Sequence, residues 1–332
     1  MKEYMKYRGK VRIRKRRGEG ACRIRGYILP DTLEVHSKEG IRTPLRIASN
    51  PAISLRGKEA RLYIRVASIG GNFDNTSIVH ATMPIDGMRG EIRLKARYIL
   101  YPMIPHESVE DPRVNPLDDK ELFHVRVIKI ARTPVITFRT ALNNSGDEVL
   151  LMEPVRFESR EGEFVLRDYR DTFPLNDRYM IVRPFFKSIG VGGIFIGSRD
   201  GSVVSFDELK PIPELLPQED EYKTGGNAVA KIASNEYLLI YHCVDKYGAY
   251  YTYAAILSDE GELLLMTEEP IIVPSPRHFV GRRPITVFVC GVVKYGDEII
   301  LTAGRDDEIV VVYSISEDKL FERMTYKAGR RG

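Results

Sequence analysis

Asn235-Glu-Tyr-Leu-Leu-Ile-Tyr-His242, followed by apolar runs at 250–257 and 262–266, decides the fold class. A turn opens onto a buried strand, then a second strand, then a more polar outer one. The order returns in Gly296-Asp-Glu-Ile-Ile-Leu-Thr302, 308–314 and 319–323. Upstream, Arg61-Leu-Tyr-Ile-Arg-Val-Ala67, 91–98 and 122–130 alternate apolar and polar side chains, the period of a half-buried strand. Breakers such as Asn144-Ser-Gly146, Asp200-Gly201 and Asp259-Glu-Gly261 separate these runs, and helix candidates are brief. Roughly twenty short strands, recurring at the spacing of blade repeats, predict an all-β fold built as a β-propeller, with a β-sandwich as the alternative. The domain reading places a basic N-terminal extension at 1–40 and a catalytic propeller at 41–332.

Composition narrows the classes. The chain has 332 residues, 43% of them hydrophobic, and a mean hydropathy of −0.24, enough apolar side chains for a real core. No apolar run approaches the roughly 20 residues that span a bilayer, and the charged N-terminus lacks the apolar stretch of a secretory signal. Three separated cysteines, Cys22, Cys243 and Cys290, argue against a disulfide framework or zinc site and fit a reducing cytoplasm. Abundant charge with a single glutamine and no tryptophan leans toward a thermophilic source. Much of the net charge of +4 sits between Lys2 and Arg17. Lys10-Val-Arg-Ile-Arg-Lys-Arg-Arg17 reads as a basic edge strand or solvated tail, with a nucleic-acid arm as the alternative; nucleic acid and membrane are not expected partners, and a homo-oligomer is allowed.

Chemistry concentrates at Ser108-Val-Glu-Asp-Pro-Arg113. Pro112 is expected to hold Asp111 extended, so Glu110 and Asp111 point to opposite faces and one alone enters a pocket. A carboxyl held beside a guanidinium suits a general acid on a sugar oxygen. Other polar residues end predicted inner strands: Asn50, Arg65, Arg183, His242 and Asp306. A propeller would bring them to one axial funnel, where guanidinium and imidazole groups make an anion site. Tyr253, in a cluster with Tyr247, Tyr250 and Tyr251, is the candidate for stacking on a sugar ring. No phosphate-binding nucleotide loop or zinc-protease pair is present.

In this order, Val109-Glu-Asp-Pro-Arg-Val114, Arg61-Leu-Tyr-Ile-Arg65, Phe173-Pro174 with Val182-Arg-Pro184, Leu238-Leu-Ile-Tyr-His242 and Val287-Phe-Val-Cys-Gly291 with Ala303-Gly-Arg-Asp306 resemble the signature segments of glycoside hydrolase family 130. The resemblance runs from about Asn50 to Tyr313. It implies a five-bladed propeller that acts on β-mannosides, mostly by phosphorolysis and in some branches by hydrolysis. Asp111 would be the acid that protonates the leaving oxygen, while phosphate inverts the anomeric carbon. Arg65, Arg183 and His242 would hold phosphate, with Arg167 or Arg170 in the place of a family lysine. Asn50, Arg113 and Asp306 would contact sugar. Inorganic phosphate would be the co-substrate, with no cofactor and no metal. The chain departs from the pattern at Val182, at Cys243 and at Arg305, which adds a cation near the sugar. A β-mannosidase on the same scaffold, or a non-catalytic carbohydrate- or nucleic-acid-binding propeller, are the alternatives.

Overall fold

The computed structural model describes residues 14–16, 18–69, 75–129, 135–166, 168–186, 191–275 and 281–327. Its strands form five sheets. In four of them, consecutive strands pair antiparallel as meanders. The first sheet runs Leu45–Arg56, Glu59–Ser68, Ser77–Pro84, Leu94–Leu100; the second Glu107–Val114, Glu121–Ile128, Val135–Leu142, Val149–Pro154. The fourth runs Glu221–Ala233, Glu236–Asp245, Tyr250–Ser258, Leu263–Thr267. The fifth combines Val287–Tyr295, Glu298–Arg305 and Ile309–Ser316 with Arg23–Ile28 from the other end of the chain, which pairs antiparallel with Ile309–Ser316. The one α-helix among the described residues is Glu317–Glu322, and no helix there is long and apolar enough to cross a membrane.

The arrangement is propeller-like with four blades, not the five expected. The third sheet is where regularity fails. Its strands Phe173–Pro174, Tyr179–Val182, Phe195–Asp200 and Val203–Ser205 are two to six residues long. Proline accounts for part of this. Pro174 and Pro211 sit at strand ends, where a missing N–H stops the ladder.

Apolar clusters fill the seams between sheets. Ala52, Tyr63 and Ile78 of the first sheet meet Val109 and Leu122 of the second. Ile53 and Leu62 meet Ile300 and Val312 of the fifth, while Leu238 and Ile240 of the fourth meet Val289 and Leu301. The inner strands Leu45–Arg56, Glu107–Val114, Glu221–Ala233 and Val287–Tyr295 pack on one another around the axis. Their ends carry the polar residues of the next section.

Residues 1–13 and Arg17 lie outside the described residues. Arg14 to Arg16 form no strand, and Arg14 is buried, its guanidinium paired with Glu221.

Candidate active site

A cavity of about 460 Å³ opens where the inner strands of the four meanders converge. Asn50, Arg65, Asp111, Arg170 and Arg183 all line it, as the sequence places them. Arg167 lies outside the described residues. Of the two arginines proposed for one role, Arg170 is the one seen at the cavity.

Glu110 and Asp111 both line this cavity, so the expectation that they face opposite ways is corrected. The reason is a bulge. Glu110 pairs with Val125 and Arg113 with Phe123, so Asp111 and Pro112 together oppose the single residue His124. Asp111 is not extended before the proline, for its φ is 50°. Asn50, at φ 47°, also adopts this left-handed conformation, which Asn and Asp tolerate best. Two disfavoured backbones meeting at one hydrogen bond are what a built site looks like.

That bond runs from Asn50 Nδ2 to Asp111 Oδ1 at 2.7 Å. Asn50 Oδ1 in turn accepts from Ser49 Oγ at 2.9 Å, which fixes the amide. Arg65 Nη2 donates to Glu110 Oε1 at 3.2 Å, and Arg65 Nη1 lies 3.6 Å from Asp111 Oδ1. Arg170 Nη1 donates to the other Glu110 oxygen at 3.3 Å. Burial raises the pKa of Asp111, helped by the charge of Glu110 and opposed by Arg65. Burial works against Glu110 as well, but Arg65 and Arg170 outweigh it and hold its pKa down. Of these two carboxyls, Asp111 holds its proton to the higher pH.

Behind this pair, Asp171 organises the cations. Arg113 Nη2 and Arg183 Nε each lie 2.6 Å from one of its oxygens, and despite burial they hold its pKa far below the usual range. Arg113 spends its other donors on Asn227 O and Asp111 O, at 2.7 and 2.9 Å, between the rings of Phe173 and Phe288. It is buried behind the wall rather than open to a sugar. Gly225 has a reason to be glycine: a Cβ there would stand 2.7 Å from Asp171 Oδ2 and 2.8 Å from Arg183 Cδ.

His242 is not the cation expected. It is fully buried, and desolvation drives its pKa well below the ordinary histidine value. Asn227 Nδ2 donates to Val289 O at 2.6 Å, so Asn227 Oδ1 faces His242 Nδ1 at 2.8 Å as an acceptor. The imidazole therefore carries its proton on Nδ1, and Nε2 presents a lone pair. Nε2 has no partner among the described residues. His242 does not line the cavity, so this nitrogen does not open on it.

Three further expectations change. Tyr253 pairs with Tyr241 across the sheet and stacks on it in the core, with centroids 5.6 Å apart. Tyr250, on the face that His242 shares with Thr252, lines the cavity in its place. Asp306 is buried, its Oδ1 accepting from Thr286 N at 3.3 Å, while the adjacent Asp307 opens on the cavity. Arg305 turns to Asp306 at 3.8 Å and does not line the cavity.

Lys223 is one of the residues that sequence reasoning missed. It lines the cavity and stands 5.3 Å from the Tyr250 ring centroid. Burial and the neighbouring Arg183 lower its pKa to about 7. Its signal was its place on the inner strand, two residues before Gly225-Gly226, the pair opposite His242 and Tyr241. Among the described residues, no cluster of His, Cys, Asp and Glu is placed to hold a metal ion.

Comparison with known proteins agrees with this architecture. The model of the glycoside hydrolase 130 family, described as beta-1,4-mannooligosaccharide phosphorylase, matches residues 14–326. A β-1,2-mannobiose phosphorylase from Listeria innocua superposes with a TM-score of 0.63 at 17% identity, covering 85% of this chain and 92% of that one. MPT-4, a mannose phosphorylase from Leishmania mexicana in complex with phosphate ion, gives 0.56 at 12% identity, covering 92% of each chain. A structure described under a family of mannoside phosphorylases containing hydrolases that target β-1,2 mannosidic linkages in Candida mannan gives 0.55 at 14%, covering 92% and 97%. At these identities the likeness shows the fold. No protein of curated function is significantly similar to the chain.

Proposed function

This chain belongs to glycoside hydrolase family 130, and from that premise we propose that it cleaves β-mannosides by inverting phosphorolysis. Members of the family are β-mannoside phosphorylases and related hydrolases. The observation that favours phosphate in this chain is the disposition of charge. Arg183, Lys223 and Arg170 share the cavity with Asp111, while Glu110 and Asp171 are already neutralised by arginines. A carboxylate so held is a poor base for activating water.

In the proposed reaction a phosphate oxygen attacks the anomeric carbon as the glycosidic C–O bond breaks on the opposite face. The proton of Asp111 passes to the departing oxygen, directly or through a sugar hydroxyl, giving mannose 1-phosphate and a free acceptor sugar. Arg170, Arg183 and Lys223 bind the anion by charge-assisted hydrogen bonds. Asn50 orients Asp111, and Arg65 keeps Glu110 charged beside it.

The test is to incubate the protein with manno-oligosaccharides with and without phosphate. Mannose 1-phosphate is expected, and only when phosphate is supplied. Equal release of free mannose without phosphate would instead establish a hydrolase.

Lys223 gives a second, independent check. Near pH 8 a group with pKa about 7 is mostly neutral in the free protein, and a bound dianion recharges it. Phosphate binding there is expected to take up a proton, seen as a calorimetric enthalpy that varies with the ionisation heat of the buffer. Affinity should fall as pH rises through 7. K223M should abolish the proton uptake; an unchanged uptake would place Lys223 away from the anion.

A further inference from the structure

The cavity is lined by more cationic side chains than carboxylates. Seven cationic side chains line it against four carboxylates. Glu110 and Asp171 are paired within the wall.

The excess includes a defined element of the mouth. Arg282 and Arg283 sit on a segment sewn to the turn at Asp306. Arg283 N donates to Asp306 O at 3.0 Å, Asp306 N to Thr286 O at 2.8 Å, and Thr286 N to Asp306 Oδ1 at 3.3 Å. Gly281, at φ +99°, allows the close approach: a Cβ there would stand 2.8 Å from Asp306 O. Arg283 makes no ion pair among the described residues, yet it lines the same cavity as Asp111, Asp307 and Tyr250. The chain has therefore fixed the backbone of an arginine at the rim and left its guanidinium for something else.

Resting on the phosphorolysis reading above, we infer that the natural substrate is an anionic β-mannoside, whose acceptor sugar bears a carboxylate or phosphate ester received by Arg283. A guanidinium recognises either group by the same bidentate geometry. Phosphate attacks from the Arg183–Lys223 side and the acceptor leaves over Asp111, so the charged group of the acceptor falls toward the rim.

The experiment compares three β-mannosides under saturating phosphate, with glucose, glucuronate or glucose 6-phosphate as the acceptor unit. One charge-assisted contact predicts a kcat/KM advantage of roughly 10–100-fold for a charged acceptor over glucose. The better of the two charged acceptors identifies the group. R283Q should reduce that advantage to a few-fold. Equal turnover of the three, or an advantage that survives R283Q, overturns the inference while leaving phosphorolysis intact. If none is cleaved, the phosphorolysis reading fails, and calorimetry of glucuronate against glucose with phosphate saturating decides the anion site: Arg283-dependent preference for glucuronate upholds it, and equal binding overturns it.

Discussion

Asp111→Asn is expected to lower turnover of an unactivated β-mannoside by about 10²–10⁴-fold, the range for loss of a general acid. The variant should fold. Asparagine accepts the same 2.7 Å bond from Asn50 Nδ2 and is at ease with a φ of 50°. It offers an amide where the reaction needs a transferable proton. A leaving group that departs without protonation separates this account from a folding defect: with β-mannosyl fluoride as donor, the variant should regain most of the wild-type rate. Phosphate affinity should change little, because the anion's proposed partners lie on the Arg183 side. Wild-type turnover by Asp111→Asn on an oligosaccharide would end the assignment. The buried environment that raises the pKa of Asp111 also sets its pH profile. Its proton is lost as pH climbs past that raised value, so with phosphate saturating the alkaline limb that Asp111 adds to kcat/KM for the mannoside should be missing in the variant.

The meanders were legible because alternation of apolar and polar residues registers directly in strands such as Glu59–Ser68 and Glu121–Ile128, and turn residues mark their ends. The third sheet was not, because two-residue strands have no period to read. At the site, residue types at strand ends pointed to Asn50, Arg65 and Arg183, and the Glu110-Asp111-Pro112 stretch to Asp111, all of which line the cavity, whereas His242 and Asp306 do not. Alternation then misled wherever the backbone left the strand. Along the regular strand Tyr250–Ser258 parity itself puts Tyr250 rather than Tyr253 at the wall, whereas the bulge at Asp111 turned two neighbours toward one cavity. Asp307 replaced Asp306 for the same kind of reason, since both sit in a left-handed turn with φ of 57° and 53°. Lys223 and Arg283 escaped because a cation near a strand end looks like any solvated lysine or arginine until its neighbours are known.

Arg14 tests what the basic N-terminus does. A basic tail would leave it in water, where substitution costs at most a few tenths of a kcal/mol. In the structure its Nε lies 3.0 Å from Glu221 Oε1 and its Nη2 contacts Glu221 Oε2. Nη1 and Nη2 donate to Glu214 O and Leu216 O at 2.8 and 2.7 Å, and Gln218 bonds both its N–H and its carbonyl. Both members of the pair are fully buried at the side chain, against the Tyr241 ring. Removing one partner of such a pair leaves a buried charge uncompensated, at about 3–5 kcal/mol. Arg14→Ala is therefore expected to shift the denaturant midpoint by an amount of that order, and Glu221→Ala by a similar one. The double variant R14M/E221L should recover much of the loss, because apolar replacement of both charges avoids the desolvation cost. An unchanged midpoint in Arg14→Ala would return the segment to the status of a tail. Since Glu221 begins the inner strand that carries Lys223 and Gly225, the same anchor bears on the anion site. Loss of Arg14 should weaken phosphate binding even where the chain remains folded, whereas loss of a free tail would leave it untouched.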